Sequence, residues 1–144
     1  MNPIVLSIPA GGTYDIITEH NIHAYPHPRS YKSDSYVTFR KRGGAMETLY
    51  TIQKAAAFDP FNDTIDPLIK HLDQNEKLRI KAYIYDRNKG WGFEKPAHPY
   101  MFWILKTEKH LTHKPKPPIT YGGHIYFTFA DLTTGNEIVE ILRQ

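Results

Sequence analysis

Ser35-Tyr-Val-Thr-Phe-Arg-Lys-Arg-Gly-Gly-Ala-Met-Glu-Thr-Leu-Tyr-Thr-Ile-Gln-Lys-Ala-Ala-Ala-Phe-Asp59 reads as two strands joined by a Gly-Gly turn. Val37 and Phe39 alternate with Thr38 and Arg40 at the period of two that a strand imposes, and Leu49 and Ile52 supply apolar positions on the return. Gly43 and Gly44 permit the positive φ angles that a tight hairpin turn demands. Arg40, Lys41 and Arg42 gather at the bend, so the stretch predicts a basic hairpin tip, a device suited to touching phosphate. A solvated tip accounts for the same residues without a ligand.

Outward from the hairpin, Pro3 to Ile8 predicts a short strand closed by Pro9 and Gly11-Gly12. Thr13 to His20 predicts one or two helical turns with Thr13 as cap and Asp15 near the positive end of the dipole. Asn21 to Ser33, with Pro26 and Pro28, reads as a loop. Beyond Asp59-Pro60, Asp63 or Thr64 can cap a helix running to about Asn75, with Ile65, Leu68, Ile69 and Leu72 at helical spacing. Arg79 to Tyr85 alternates Ile80, Ala82 and Ile84 with Lys81, Tyr83 and Tyr85, and is expected to be a strand. Asp86 to Gly90 predicts a turn, and Trp91 to Pro99 a proline-limited loop.

Tyr100 to Lys106 is apolar enough to run through the core. Lys114-Pro-Lys-Pro-Pro118 is expected to be extended, and His124 to Phe129 predicts another strand. Asp131 or Thr134 then caps an expected terminal helix carrying Ile138, Ile141 and Leu142 on one face. Five or six strands with two or three short helices predict an α+β fold, a small mixed β-barrel formed as a single domain over residues 1–144.

Composition narrows the function classes. A chain of 144 residues with 40% apolar residues can bury a core without metal or disulfide support. It contains no cysteine, which removes disulfide frameworks, thiolate zinc sites and cysteine nucleophiles together. Ile4-Val5-Leu6 is too short for a secretion signal, and no apolar run is long enough for a membrane span, so a cytoplasmic protein is expected. The net charge of +3 is mild, but Arg29, Lys32, Arg40, Lys41 and Arg42 fall in the first half while Asp59, Asp63, Asp66 and Asp73 follow. That asymmetry predicts a basic patch.

No catalytic set assembles. His20, His23 and His27 have spacing for metal ligation, yet Pro26 and Pro28 forbid a regular helical face and only Glu19 lies near. His110-Leu-Thr112-His113 contains a His-x-Thr pattern used in two-histidine phosphoesterases, whose second copy is missing: His71-Leu-Asp73 lacks the hydroxyl and His124-Ile-Tyr126 offers a phenol. A nuclease-like acid two positions before Lys81 is replaced by Arg79. Asp59, Asp63 and Asp66 are explained as turn and cap residues. Gly11-Gly12 is no phosphate loop. Neither a metal nor a cofactor is expected.

Tyr36–Pro60, Arg79–Leu105 and the closing Tyr126–Leu142, with its Tyr-Phe-Thr-Phe-x-Asp-Leu run, together resemble the PUA-like superfamily, which includes EVE and ASCH domains. The resemblance implies a compact barrel with embedded helices that binds RNA or modified bases in DNA. The chain departs from the base-reading branches in showing no tryptophan-plus-polar pocket, so nucleic acid is implied rather than any particular base. On the residues themselves, Arg40, Lys41 and Arg42 are candidate phosphate contacts with Arg29 and Lys32 adjacent. Trp91 and Tyr36 are candidate stacking platforms and His98 a candidate polar reader, although Trp91 also reads as a lid over the barrel end. Two other classes stay open: a small phosphoesterase or nucleotide-binding enzyme using His110, Thr112 and His124, and an interaction module of a phage or defence system that pairs through a strand edge.

Overall fold

A computed structural model describes residues 3–29, 31, 35–61, 65–90, 92–95 and 97–142 of the chain. Its strands are β1 (Ile4–Pro9), β2 (Ile22–Pro26), β3 (Tyr36–Arg40), β4 (Met46–Phe58), β5 (Tyr100–His110) and β6 (Ile125–Thr128). Its helices are α1 (Tyr14–His20), α2 (Gln74–Lys89) and α3 (Phe129–Thr133), with 3-10 turns at Gly11–Thr13 and Asp66–Ile69. The expected α+β class is what the chain adopts.

The strands form one mixed sheet in the order β2-β5-β4-β3-β1-β6. No ladder joins β2 to β6 among the described residues, so the sheet does not close into the expected barrel. Both end strands are short. Pro26 ends β2 with a residue that has no N–H to donate, and Thr128 turns β6 into α3 by accepting a hydrogen bond from the Asp131 amide (3.1 Å).

The chain gathers into two compact units, one of Met1–Tyr14, Tyr31–Ile52 and Lys106–Gln144, the other of Asp15–Ser30 and Gln53–Leu105. In the first, β1 lies between β3, parallel to it with Leu6 opposite Val37, and β6, antiparallel with Leu6 opposite Tyr126. A strand paired on both edges has little exposed surface, and Val5 to Ile8 are all buried. The core joins Val5, Met46, Leu49, Phe127, Leu132 and Val139. The hairpin holds as read: β3 and β4 pair antiparallel, Val37 opposite Tyr50, with a register shift between Thr38 and Arg40. The expected terminal helix carrying Ile138, Ile141 and Leu142 does not form: the chain's last helix is the five-residue α3, capped at its start by Thr128, and it ends before those residues. Gly135, at φ 100°, follows α3, and Ile138 bridges in parallel to Lys116 while Val139 enters the core.

In the second unit, Arg79 to Tyr85 is not a strand but the middle of α2. Asp73 caps that helix, accepting from the Glu76 amide at 2.8 Å while the Glu76 carboxylate accepts from the Asp73 amide at 3.0 Å. Buried positions at Glu76, Ile80, Tyr83, Ile84 and Arg87 follow helical spacing, and no Gly or Pro interrupts the run. The apparent alternation of Ile80, Ala82 and Ile84 was a coincidence of helical faces. Glu76 is buried, and its contact with Lys54 Nζ (2.7 Å) holds its carboxyl below the usual range. The helix expected up to Asn75 is instead the Asp66–Ile69 turn, and its proposed caps Asp63 and Thr64 lie outside the described residues.

The expected loop at Asn21 to Ser33 begins with β2, which pairs antiparallel to β5 with Ala24 opposite Phe102. Its apolar Ile22 and Ala24 are buried, and Phe102 stacks on Phe58 (4.4 Å between ring centroids, 6° between planes). Among the described residues, no helix is long and apolar enough to cross a membrane.

His23 on β2 is packed between Tyr25 (5.9 Å) and Trp103 (5.8 Å). Burial, with the charges of Arg87 and Arg29, lowers its pKa to about 3. The unfolded chain therefore takes up a proton near its ordinary pKa of 6.5 while the folded one does not. Stability from this group is complete above pH 6.5 and falls as pH drops towards 3, by up to about 1.4 kcal/mol per pH unit. Urea unfolding between about pH 7.5 and about pH 5 checks this: His23→Gln is expected to flatten the decline, and an unchanged slope counts against it.

Candidate functional site

The tip of the β3–β4 hairpin is closed by Lys41 N donating to Ala45 O (2.9 Å) and Gly44 N donating to Lys41 O (2.9 Å). Gly43 and Gly44 hold φ of 91° and 96°, a region that side chains disfavour. A Cβ on Gly44 would stand 3.5 Å from Pro117 Cδ and 3.6 Å from Lys116 Cβ, because the proline-rich segment lies directly against the turn. That segment is anchored on both sides. Met46 N donates to Pro115 O (2.9 Å), Lys116 N to Glu137 O (2.9 Å) and Val139 N to Lys116 O (3.0 Å).

Between tip and segment is a cavity of about 280 Å³. Arg40, Lys41, Arg42 and Lys116 line it together with Pro117, Pro118, Ile119, Thr120 and Tyr121, and no Asp or Glu does. Ile119 and Tyr121 are exposed at 63% and 38%. Cations and apolar or aromatic surface thus share one concave site, the combination a nucleotide requires, since phosphate seeks charge and a base seeks a flat partner.

The four cations are not equivalent. Arg40, expected at the exposed tip, is 3% exposed. Its Nη1 donates to Ser7 O (2.9 Å) and Ser7 Oγ (2.7 Å), and its Nη2 to Gly123 O. No carboxylate pairs with it among the described residues, and burial pushes its pKa down to about 10, leaving it charged at neutral pH. It is a fixed, buried positive charge beside the cavity. Lys41 lies 3.6 Å from Glu47 Oε1 and 5.3 Å from the centre of the Tyr14 ring. Arg42 and Lys116 are exposed and have no carboxylate partner among the described residues.

The other sequence candidates are placed elsewhere or otherwise engaged. Tyr36 packs against Phe129 (5.1 Å) at the margin of the first unit's core. Arg29 and His98 belong to the second unit, where Arg29 is exposed and His98 Nε2 meets His27 O at 2.9 Å. Lys32 and Trp91 lie outside the described residues. Lys116 and Tyr121 were missed in sequence; the signal was the alternation of lysine and proline just before an aromatic residue and Gly122-Gly123.

His110 and Thr112 are exposed and share no hydrogen bond with His124 among the described residues. The His124 ring stands edge-on to Tyr31 (5.0 Å) and Tyr126 (5.7 Å). His20, read with His23 and His27, meets carboxylates instead: Asp86 Oδ2 at 2.7 Å and Glu19 Oε2 at 3.3 Å. The short contact to Asp86 accounts for that cluster as a side-chain hydrogen bond. Comparison with protein-family models, characterised proteins and solved structures finds no match.

Because Ser7 Oγ accepts from a buried guanidinium, Ser7→Ala is expected to cost about 1–3 kcal/mol in denaturant unfolding. A loss below about 0.5 kcal/mol would mean that the Ser7 carbonyl alone satisfies Arg40.

Proposed function

We propose that this protein binds nucleic acid, RNA or single-stranded or modified DNA, through the cavity at its hairpin tip. The observation that carries the reading is the lining itself: Arg40, Lys41, Arg42 and Lys116 surround one concave space with no acidic residue, and Tyr121 and Ile119 border it. Arg42 and Lys116 contact phosphate, and Arg40 raises the local potential from a fixed position. Tyr121 takes the stacking role first considered for Tyr36 and Trp91. The reading agrees with the resemblance of Tyr36–Pro60, Arg79–Leu105 and Tyr126–Leu142 to the PUA-like superfamily. It requires no bond-making chemistry, and His110, Thr112 and His124, which share no hydrogen bond among the described residues, add no support for a phosphoesterase.

Fluorescence anisotropy with single-stranded and duplex oligonucleotides at two salt concentrations tests it. Affinity is expected to fall with salt, and each lost phosphate contact to lower the log–log slope by about 0.7 on single strands. Arg42→Glu and Lys116→Glu, both at exposed positions, should each weaken binding about tenfold across sequences. Tyr121→Ala should cost about 1–3 kcal/mol while leaving the salt slope unchanged. Absent or salt-independent binding removes the proposal.

A further inference from the structure

We propose that the group this cavity accepts is a terminal phosphate, a phosphomonoester with its nucleoside beside it, rather than a phosphodiester within a strand. The inference rests on the nucleic-acid reading and adds to it which part of the ligand enters. The first argument is room. A cavity of about 280 Å³ is at the lower edge of small-ligand pockets, the scale of one phosphoryl group with part of an adjoining ring.

The second argument is access. Arg42 and Lys116 are exposed, so a strand crossing the surface reaches them without entering the cavity. Arg40 lines the same cavity but is 3% exposed and tied to Ser7 and Gly123, so it cannot swing outward to meet a phosphate. A phosphate must come in to approach it. An internal phosphate carries chain on both sides, whereas a terminal one carries chain on one side and can enter end-first.

The third argument is charge. A monoester carries about −1.5 to −2 at neutral pH and a diester one negative charge. Arg40, Arg42 and Lys116, with no lining carboxylate, reward the additional charge, while Lys41 is partly met by Glu47. Thr120 adds a hydroxyl to the lining, a donor for a phosphoryl oxygen, and Pro117, Pro118 and Tyr121 offer apolar surface to the nucleoside.

A strand end and a free mononucleotide present the same chemistry, and the test separates them. Anisotropy would compare one short single-stranded oligonucleotide carrying 5′-phosphate, 3′-phosphate or hydroxyl ends, and calorimetry would titrate a nucleoside monophosphate and inorganic phosphate. One phosphorylated end is expected to bind about tenfold tighter than the hydroxyl form, an advantage that shrinks between about pH 7.5 and about pH 5.5 as the monoester takes up its second proton. Lys116→Glu is expected to abolish it, with the thermal midpoint confirming that the variant is folded.

Equal affinity for all three ends, with salt-dependent binding retained, overturns the terminal-phosphate inference and leaves the nucleic-acid reading standing. Binding of the monophosphate without binding of any oligonucleotide upholds the terminal phosphate and overturns the strand. Failure of every ligand overturns both.

Discussion

The guanidinium of Arg40 is the constraint on which the first unit depends. It sits at the end of β3, donates to Ser7 in the middle of β1, and reaches Gly123 just ahead of β6. Three strands of the sheet are thereby referred to one planar cation, whose fork of N–H groups is suited to several acceptors at fixed angles. Burying such a charge is costly, and carbonyl and hydroxyl oxygens offset that cost only in part because they bring dipoles and no countercharge. The residual positive potential is felt in the cavity that Arg40 lines. One interaction therefore organises the strands and charges the candidate site.

The second unit uses arginine in the same way, to tie backbone carbonyls together. Arg79 donates to His20 O, Asn21 O and Leu105 O, each at 3.0 Å, tying α2 to the end of α1 and to β5. Arg87 donates to Ala24 O (3.1 Å) and Tyr83 Oη (2.9 Å), lies 4.5 Å from the centre of the Phe93 ring, and meets Glu94 at 3.7 Å. Its charge has a carboxylate and aromatic faces to rest against. Among the described residues Arg40 has neither a carboxylate nor an aromatic face against it.

The hairpin was legible because its signals are local: alternation across Val37 to Arg40 and two glycines whose positive φ a tight turn requires. The α2 capping box at Asp73 and Glu76 was equally local but went unread beside the alternation of Ile80, Ala82 and Ile84, and a short apolar alternation fits helix and strand alike. β2 was obscured by Pro26 and Pro28, since prolines that mark a loop also mark the end of an edge strand. The expected five or six strands still match the six of the sheet because the false strand in α2 and the overlooked β2 cancel.

By itself the sequence determined the α+β class, the hairpin and the concentration of positive charge at its tip, all of which follow from contacts between near neighbours in the chain. Only the tertiary structure decided which of those charges are buried, because the depth of Arg40 depends on Ser7 and Gly123, residues 33 and 83 positions away. It alone brought Lys116 and Tyr121 to the tip. Their approach follows from hydrogen bonds that Lys116 N donates to Glu137 O, Val139 N to Lys116 O and Met46 N to Pro115 O. A site assembled by such long-range pairings has no signature in any single stretch of sequence.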